Sequence, residues 1–218
     1  MKMFYGALIF FVVMLVSCSS EPSAGGGSGG GIVSSSSSSF SPVVSLNLDF
    51  ENGQVPSSYY AAFGNVTPSV VDFAGRKCLK ISGQTSSSYA EPAHHSVEIQ
   101  FDLTTPVDMS GEDFVISFDY YIPAAYVVNL DGFQFSFWKV PGYTSLYSGG
   151  YGAVPDSWNT IYTNVDTTTI TYSGFSDNPS GWVGINKIRF QFSPKTGTSD
   201  GMAVEFYLDN IVVSNIQK

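Results

Sequence analysis

The chain is expected to fold as an all-β jelly-roll β-sandwich of two antiparallel sheets. Three observations predict it. Short runs alternate apolar and polar residues, the pattern that sends successive side chains to opposite faces of a strand. Clusters of Gly, Pro, Asn, Asp and Ser separate these runs at regular spacing. The runs are also rich in β-branched and aromatic residues, and none carries a long helical period.

Residues 1–17 belong to a different part of the argument. Met1-Lys2 leads into the apolar run MFYGALIFFVVMLV and then SCSS, the layout of a secretory signal peptide. The run is short for a membrane-spanning helix, which needs about 20 apolar residues. Leu15-Val16-Ser17-Cys18 resembles the lipobox of bacterial lipoproteins. That resemblance implies cleavage before Cys18 and acylation of its sulfur and new amino terminus. More than one acyl chain makes a durable membrane anchor. Residues 18–40 then form the lipidated cysteine and a linker that is almost all Ser and Gly. Such a segment buries too little to offset its ordering entropy, and about 20 residues of it reach roughly 25 Å. The residue after Cys18 is Ser19, not the aspartate that the resemblance associates with inner-membrane retention. Outer membrane or cell surface is therefore expected.

Residues 41–218 form the β-sandwich domain, long enough for one large core. Without residues 1–17 the chain keeps 8 basic and 18 acidic residues, a net charge of −10. Phosphate polymers are repelled by such a surface, which argues against nucleic acid. Only 12% of residues are charged while 15% are aromatic. That balance suits uncharged, ring-shaped ligands or an aromatic-rich β core. With Cys18 lipidated, Cys78 is a lone thiol expected to be a buried small hydrophobe, and no disulfide framework stabilises the fold.

Eight strands are expected in order, over 43–50, 78–83, 96–103, 113–122, 132–140, 158–165, 185–193 and 204–213. Pro123, Pro141, Pro155 and Pro194 fall at strand ends, where a missing N–H does no damage. A helical turn within 54–62 is allowed by the sequence. Parity assigns faces. In 96–103, Val97, Ile99, Phe101 and Leu103 oppose Glu98, Gln100 and Asp102. In 113–122, Phe114, Ile116, Phe118 and Tyr120 oppose Val115, Ser117, Asp119 and Tyr121. In 185–193, Ile188, Phe190 and Phe192 oppose Lys187, Arg189 and Gln191. Each strand thus has a core set and a solvated set.

The run GFQFSFWK (132–139) breaks its own pattern. Phe133, Phe135 and Phe137 share one parity, and Trp138 falls on the other with Gln134 and Ser136. Sugars are bound by stacking their C–H faces on aromatic rings while amide, carboxylate and guanidinium groups hold the hydroxyls. Trp138 is the candidate platform and Tyr121 a second. Gln134, Arg189, Gln191 and Asp119 are the candidate hydrogen-bonding groups. The Tyr- and Gly-rich segment 143–152, with Tyr143, Tyr147 and Tyr151, is a candidate wall. The alternative is a tryptophan packed over a strand edge or under that loop.

The first strand ends in Phe50-Glu51-Asn52-Gly53, and the last reads Phe206-Tyr207-Leu208-Asp209-Asn210-Ile211. Between them lie GRKCLKIS (75–82) and Trp158-Asn159-Thr160-Ile161. Over 45–214 the chain resembles carbohydrate-binding modules of the galactose-binding-like jelly-roll superfamily. The resemblance implies non-catalytic glycan binding. It also implies a structural calcium ion held by Glu51 and Asp209 with backbone carbonyls, Asp49 being a lesser candidate. Carboxylates and carbonyl oxygens suit a hard cation. The alternative is that both acids cap turns or pair with Lys or Arg.

Other chemistry has less support. His94 and His95 are adjacent, so on a strand they point opposite ways and do not chelate one metal together. No nucleophile elbow, phosphate-binding loop or dinucleotide fingerprint is present. A hydrolase needs two carboxylates opposed across a groove; Glu98, Asp102 and Asp119 are outward acids without a carboxylate-rich signature. Arg189 with Tyr121 is the only hint of a lyase cluster. The remaining class is an adhesion or assembly module that presents its loops to another protein.

Overall fold

In the computed structural model the described residues are 43–63, 65–87, 95–108, 113–139, 144–147, 151–165, 172–173, 183–195 and 201–216. The signal peptide, Cys18, the linker, His94 and Tyr143 lie outside them.

All eight expected strands are present. In chain order the described elements are β1 (Val44–Leu48), β2 (Tyr59–Phe63), β3 (Thr67–Phe73), β4 (Arg76–Gln84), β5 (Ser86–Ser87), β6 (His95–Val107) and β7 (Asp113–Tyr121). A single helical turn, α1 (Ala124–Val127), follows. Then come β8 (Leu130–Lys139), β9 (Thr144–Tyr147), β10 (Trp158–Val165), β11 (Tyr172–Ser173), β12 (Ile185–Pro194) and β13 (Ala203–Ile216). One expectation is corrected, and one strand is additional. Residues 59–63 pair as a strand with β6 where a helical turn was allowed, because ladder bonds decide a run without alternation. Residues 67–73 form a strand despite Pro68, which is tolerated because β3 lies at a sheet edge.

The strands make two antiparallel sheets. The first runs β10-β7-β13-β4-β3, with β1 also paired to β13. The second runs β11-β9-β8-β12-β6-β2, with β5 paired to β6. A bulge at 209–212 divides β13. Before it the strand pairs with β4 and beyond it with β1, while β7 flanks both halves on the other side. Asn210 sits in the bulge at φ 49°, a left-handed conformation that Asn tolerates better than most residues.

Parity names the core residues, but the outward sets are not all solvated: Glu98, Gln100, Ser136 and Arg189 are buried on the outer face of the second sheet, and Val115 and Asp119 on that of the first. Phe114, Ile116, Phe118 and Tyr120 of the first sheet are buried, as are Phe133, Phe135, Phe137, Ile188, Phe190 and Phe192 of the second. Phe118 meets Phe190 edge-on at 4.9 Å, and Tyr120 stacks on Phe133 at 4.8 Å. These pairs join the sheets through rings in favourable geometry. Tyr120 closes the end of this core by donating its hydroxyl to the Gly152 carbonyl. Cys78 is fully buried, and burial, aided by the Asp209 charge, pushes its thiol up to about 11. It is an inert thiol, as the sequence suggested.

Candidate functional site

The outer face of the second sheet carries Trp138. β12 is hydrogen-bonded between β8 and β6, and β2 lies beyond β6. Register therefore arranges the outward residues in rows across the strands. Gln134 lies opposite Gln191, and Gln191 opposite Glu98. Ser136, Arg189, Gln100 and Tyr60 form the next row. Trp138, Lys187 and Asp102 form the third.

The indole is held from below and from its edge. Its Nε1–H donates to Ser136 Oγ at 2.7 Å. The Arg189 guanidinium lies 3.8 Å from the ring centroid, close cation–π contact. Arg189 is itself clamped: Nη1 donates to Glu98 Oε2 at 2.7 Å and Nη2 to Gln100 Oε1 at 3.3 Å. Ser96 Oγ donates to Glu98 Oε1 at 2.8 Å. Lys187 pairs with Asp102 at the more exposed end of the face. Both cations of this face are thus matched by carboxylates.

This geometry sorts the expected site residues. Trp138, Gln134 and Gln191 share the face and are half-buried, within reach of a ligand. Arg189 shares it too but is only 8% exposed, so it supports the platform and does not offer its own donors to solvent. Tyr121 and Asp119 are corrected. They lie on β7, in the first sheet, on the opposite outer surface of the sandwich. Parity placed them outward correctly, but it carries no information on which sheet a strand joins. Tyr151 is also corrected: it stacks on Phe135 at the margin of the core. The side chain of Tyr147 lies outside the described residues. Tyr60, 61% exposed beside Gln100, escaped the sequence because YYAAF (59–63) shows no alternation. The three outward acids do not oppose one another either. Glu98 and Asp102 each hold a cation on one sheet, and Asp119 is on the other.

Asp119 instead belongs to a polar cluster with Asp209. It accepts from Thr160 Oγ1 at 2.5 Å and Asn210 Nδ2 at 2.9 Å, and pairs with Arg76. Arg76 also reaches Asp209 Oδ2 at 3.7 Å and lies over the Trp158 ring at 4.7 Å. Tyr121 and Phe73 complete an aromatic cover with Tyr207. Burial alone would raise the Asp119 carboxyl, but bonds from Thr160, Asn210 and Arg76, with the Arg76 charge, hold it below its usual value. At Asp209 burial wins. The Asn210 N–H and Arg76 lower it, Asp119 and Glu51 raise it, and the net shift is upward.

The two acids should therefore respond to pH in opposite senses. Asp119 contributes stability above the unfolded carboxylate range and loses it as pH falls through its depressed folded value. Asp209 contributes only at low pH, and that contribution is lost as pH rises through its raised folded value. Asp119→Asn is expected to lower the melting temperature at neutral pH, with the deficit closing in acid. Asp209→Asn should leave it level or raise it at neutral pH. Thermal melts of both variants at neutral and acid pH check this.

The same cluster bears on the calcium ion that the family resemblance implies. Asp209 Oδ1 accepts the Asn210 N–H at 2.8 Å, and Oδ2 faces Arg76. The Glu51 side chain is exposed, its carbonyl accepts Lys77 Nζ at 3.3 Å, and Asp49 caps its N–H at 3.1 Å. Among the described residues no group of three or more His, Cys, Asp or Glu side chains gathers. Asp209 thus has a guanidinium close by, and the Glu51 carbonyl has an ammonium donor.

The architecture is a β-sandwich of two antiparallel sheets. Solved structures share it. An exo-β-agarase superposes with a TM-score of 0.54 at 15% identity, over 81% of this chain and 25% of that one. The CBM22-1 xylan-binding domain from Paenibacillus barcinonensis gives 0.50 at 14%, over 81% and 97%. A second agarase gives 0.52 at 12%, over 80% and 26%. This chain thus spans about a quarter of the agarase chains and nearly the whole xylan-binding domain. At these identities the likeness is one of fold. No protein-family model and no curated protein matches the sequence.

Proposed function

We propose that the domain binds a glycan without transforming it, on the outer face of the second sheet. The observation that carries this is Trp138, half-buried on the outer face of the sheet and fixed by Arg189 and Ser136. Gln134 and Gln191 supply amide donors and acceptors for sugar hydroxyls, as does the Lys187–Asp102 pair, and Tyr60 adds a second ring. The polar groups stand on strands, so little ordering entropy is spent on binding. Solved structures of the same fold include a xylan-binding domain and agarases, which makes uncharged plant and algal polysaccharides the first ligands to test.

In this reading the acyl groups on Cys18 hold the protein in the bacterial envelope, at the outer membrane or cell surface. The Ser/Gly linker lets the domain sample polysaccharide near the membrane. Isothermal titration against xylan, mixed-linkage glucan, mannan and agarose oligosaccharides tests the binding. A heat of binding with at least one is expected. No heat with any of them would overturn the proposal.

A further inference from the structure

We infer that a polar cleft at the edge of the second sheet holds the terminal sugar of the bound glycan, so that the domain recognises chain ends. This rests on the glycan-binding reading above. The cleft, about 350 Å³, lies between the exit of β1 and the entry of β2. That volume is at the small end of the range for ligand sites. It lies at the end of a row that starts on the platform. Trp138 is opposite Lys187, and Lys187 opposite Asp102. The Asp102 N–H then donates to the Ser58 carbonyl at 3.4 Å, and Ser58 lines the cleft. Three strand spacings separate Trp138 from Ser58, about 14 Å, room for a short run of sugars laid across the strands.

The lining matches a pyranose, which has apolar C–H faces and a polar rim. Val55 and Pro56 give an apolar wall, while Asp49, Asn52 and Gln54 give the polar one. The turn that carries them is fixed before any ligand arrives. Asp49 Oδ1 accepts the Glu51 N–H, and Asn52 Oδ1 accepts the Gln54 N–H at 2.8 Å. Gly53 N–H closes onto the Phe50 carbonyl at 2.9 Å. Phe50 is buried in the core and held at φ 57°, a strained setting for a residue with a side chain. The second Asp49 oxygen and the Asn52 amide N–H2 remain for a ligand. The Asp49 carboxylate and the Asn52 amide are placed to hold neighbouring hydroxyls of a pyranose rim. The 49–56 turn walls the row, which favours an end over a chain interior.

Titration of the full chain with a neutral polysaccharide and with the hexasaccharide cut from it tests the inference. The expected stoichiometry is about one protein per chain for both, whatever the length. Gln54→Ala and Ser57→Ala, both at exposed positions, should each weaken hexasaccharide binding roughly fivefold, the worth of one lost hydrogen bond. Stoichiometry that rises with chain length, or wild-type affinity in both variants, would overturn the end-binding cleft while leaving the platform intact. Failure of the wild type to bind any glycan would overturn the platform and the cleft together.

Discussion

An Arg189→Met variant should lose about 3–5 kcal/mol of folding stability, the cost of breaking a buried ion pair by removing one partner. The side chains of Arg189 and Glu98 are only 10% and 5% exposed. Without the guanidinium, Glu98 loses the charge it is paired with at 2.7 Å. For a domain of this size each kcal/mol shifts the melting temperature by about 2–4 °C, so a fall of roughly 10 °C is expected. The double variant Arg189→Met with Glu98→Met should recover most of that loss, because removing both charges from a dry site is often neutral. Arg189→Lys should keep the charge but lose the planar stack under Trp138. Thermal and urea denaturation of the three variants measure these differences. Equal stability of wild type and Arg189→Met would show that water reaches the pair.

Trp138→Ala is expected to lower glycan affinity by about 30-fold or more, the effect of removing an aromatic anchor worth at least about 2 kcal/mol. Gln191→Ala should cost only a few-fold, since a single hydrogen bond to solvent-exposed hydroxyls is worth about 1 kcal/mol. Tyr121→Ala should change binding not at all, because Tyr121 stands on the other sheet. That contrast separates a platform effect from a general loss of structure. Titration of the three variants with whichever polysaccharide the wild type binds gives the comparison. Undiminished affinity in Trp138→Ala would remove the platform from the account.

Much of the fold is legible in the chain because parity is a local property. The alternation in 113–121 and 185–193 names the core residues without any knowledge of neighbours. Trp138 stands out for the same reason, as the one aromatic of its strand on the wrong parity. Sheet membership is not local. Nothing in DFVISFDYY says that β7 pairs with β10 and β13, while the similar run at 130–139 pairs with β12 and β9. Parity therefore groups Tyr121 and Asp119 with Trp138 although the thickness of the sandwich lies between them. Tyr60 and the 47–58 cleft were missed for a different reason. Their segments lack alternation, and only pairing with β6 turns Tyr59–Phe63 into a strand. Arg189 was read as a donor because parity points it outward, yet depth on a face depends on what stacks above it.

The position of β13 has a consequence for how the protein is made. This strand lies between β7 on one side and β4 with β1 on the other, and it follows every other described strand in the chain. A growing polypeptide can close β3 on β4, β7 on β10 and β6 on β12 with early segments. The first sheet then stays in three pieces, β10-β7, β3-β4 and β1, until residues 203–216 are available. Long-range pairing of this kind forms late and slowly. Closure of the first sheet is thus set by its most sequence-distant pairings, β1 and β4 with β13.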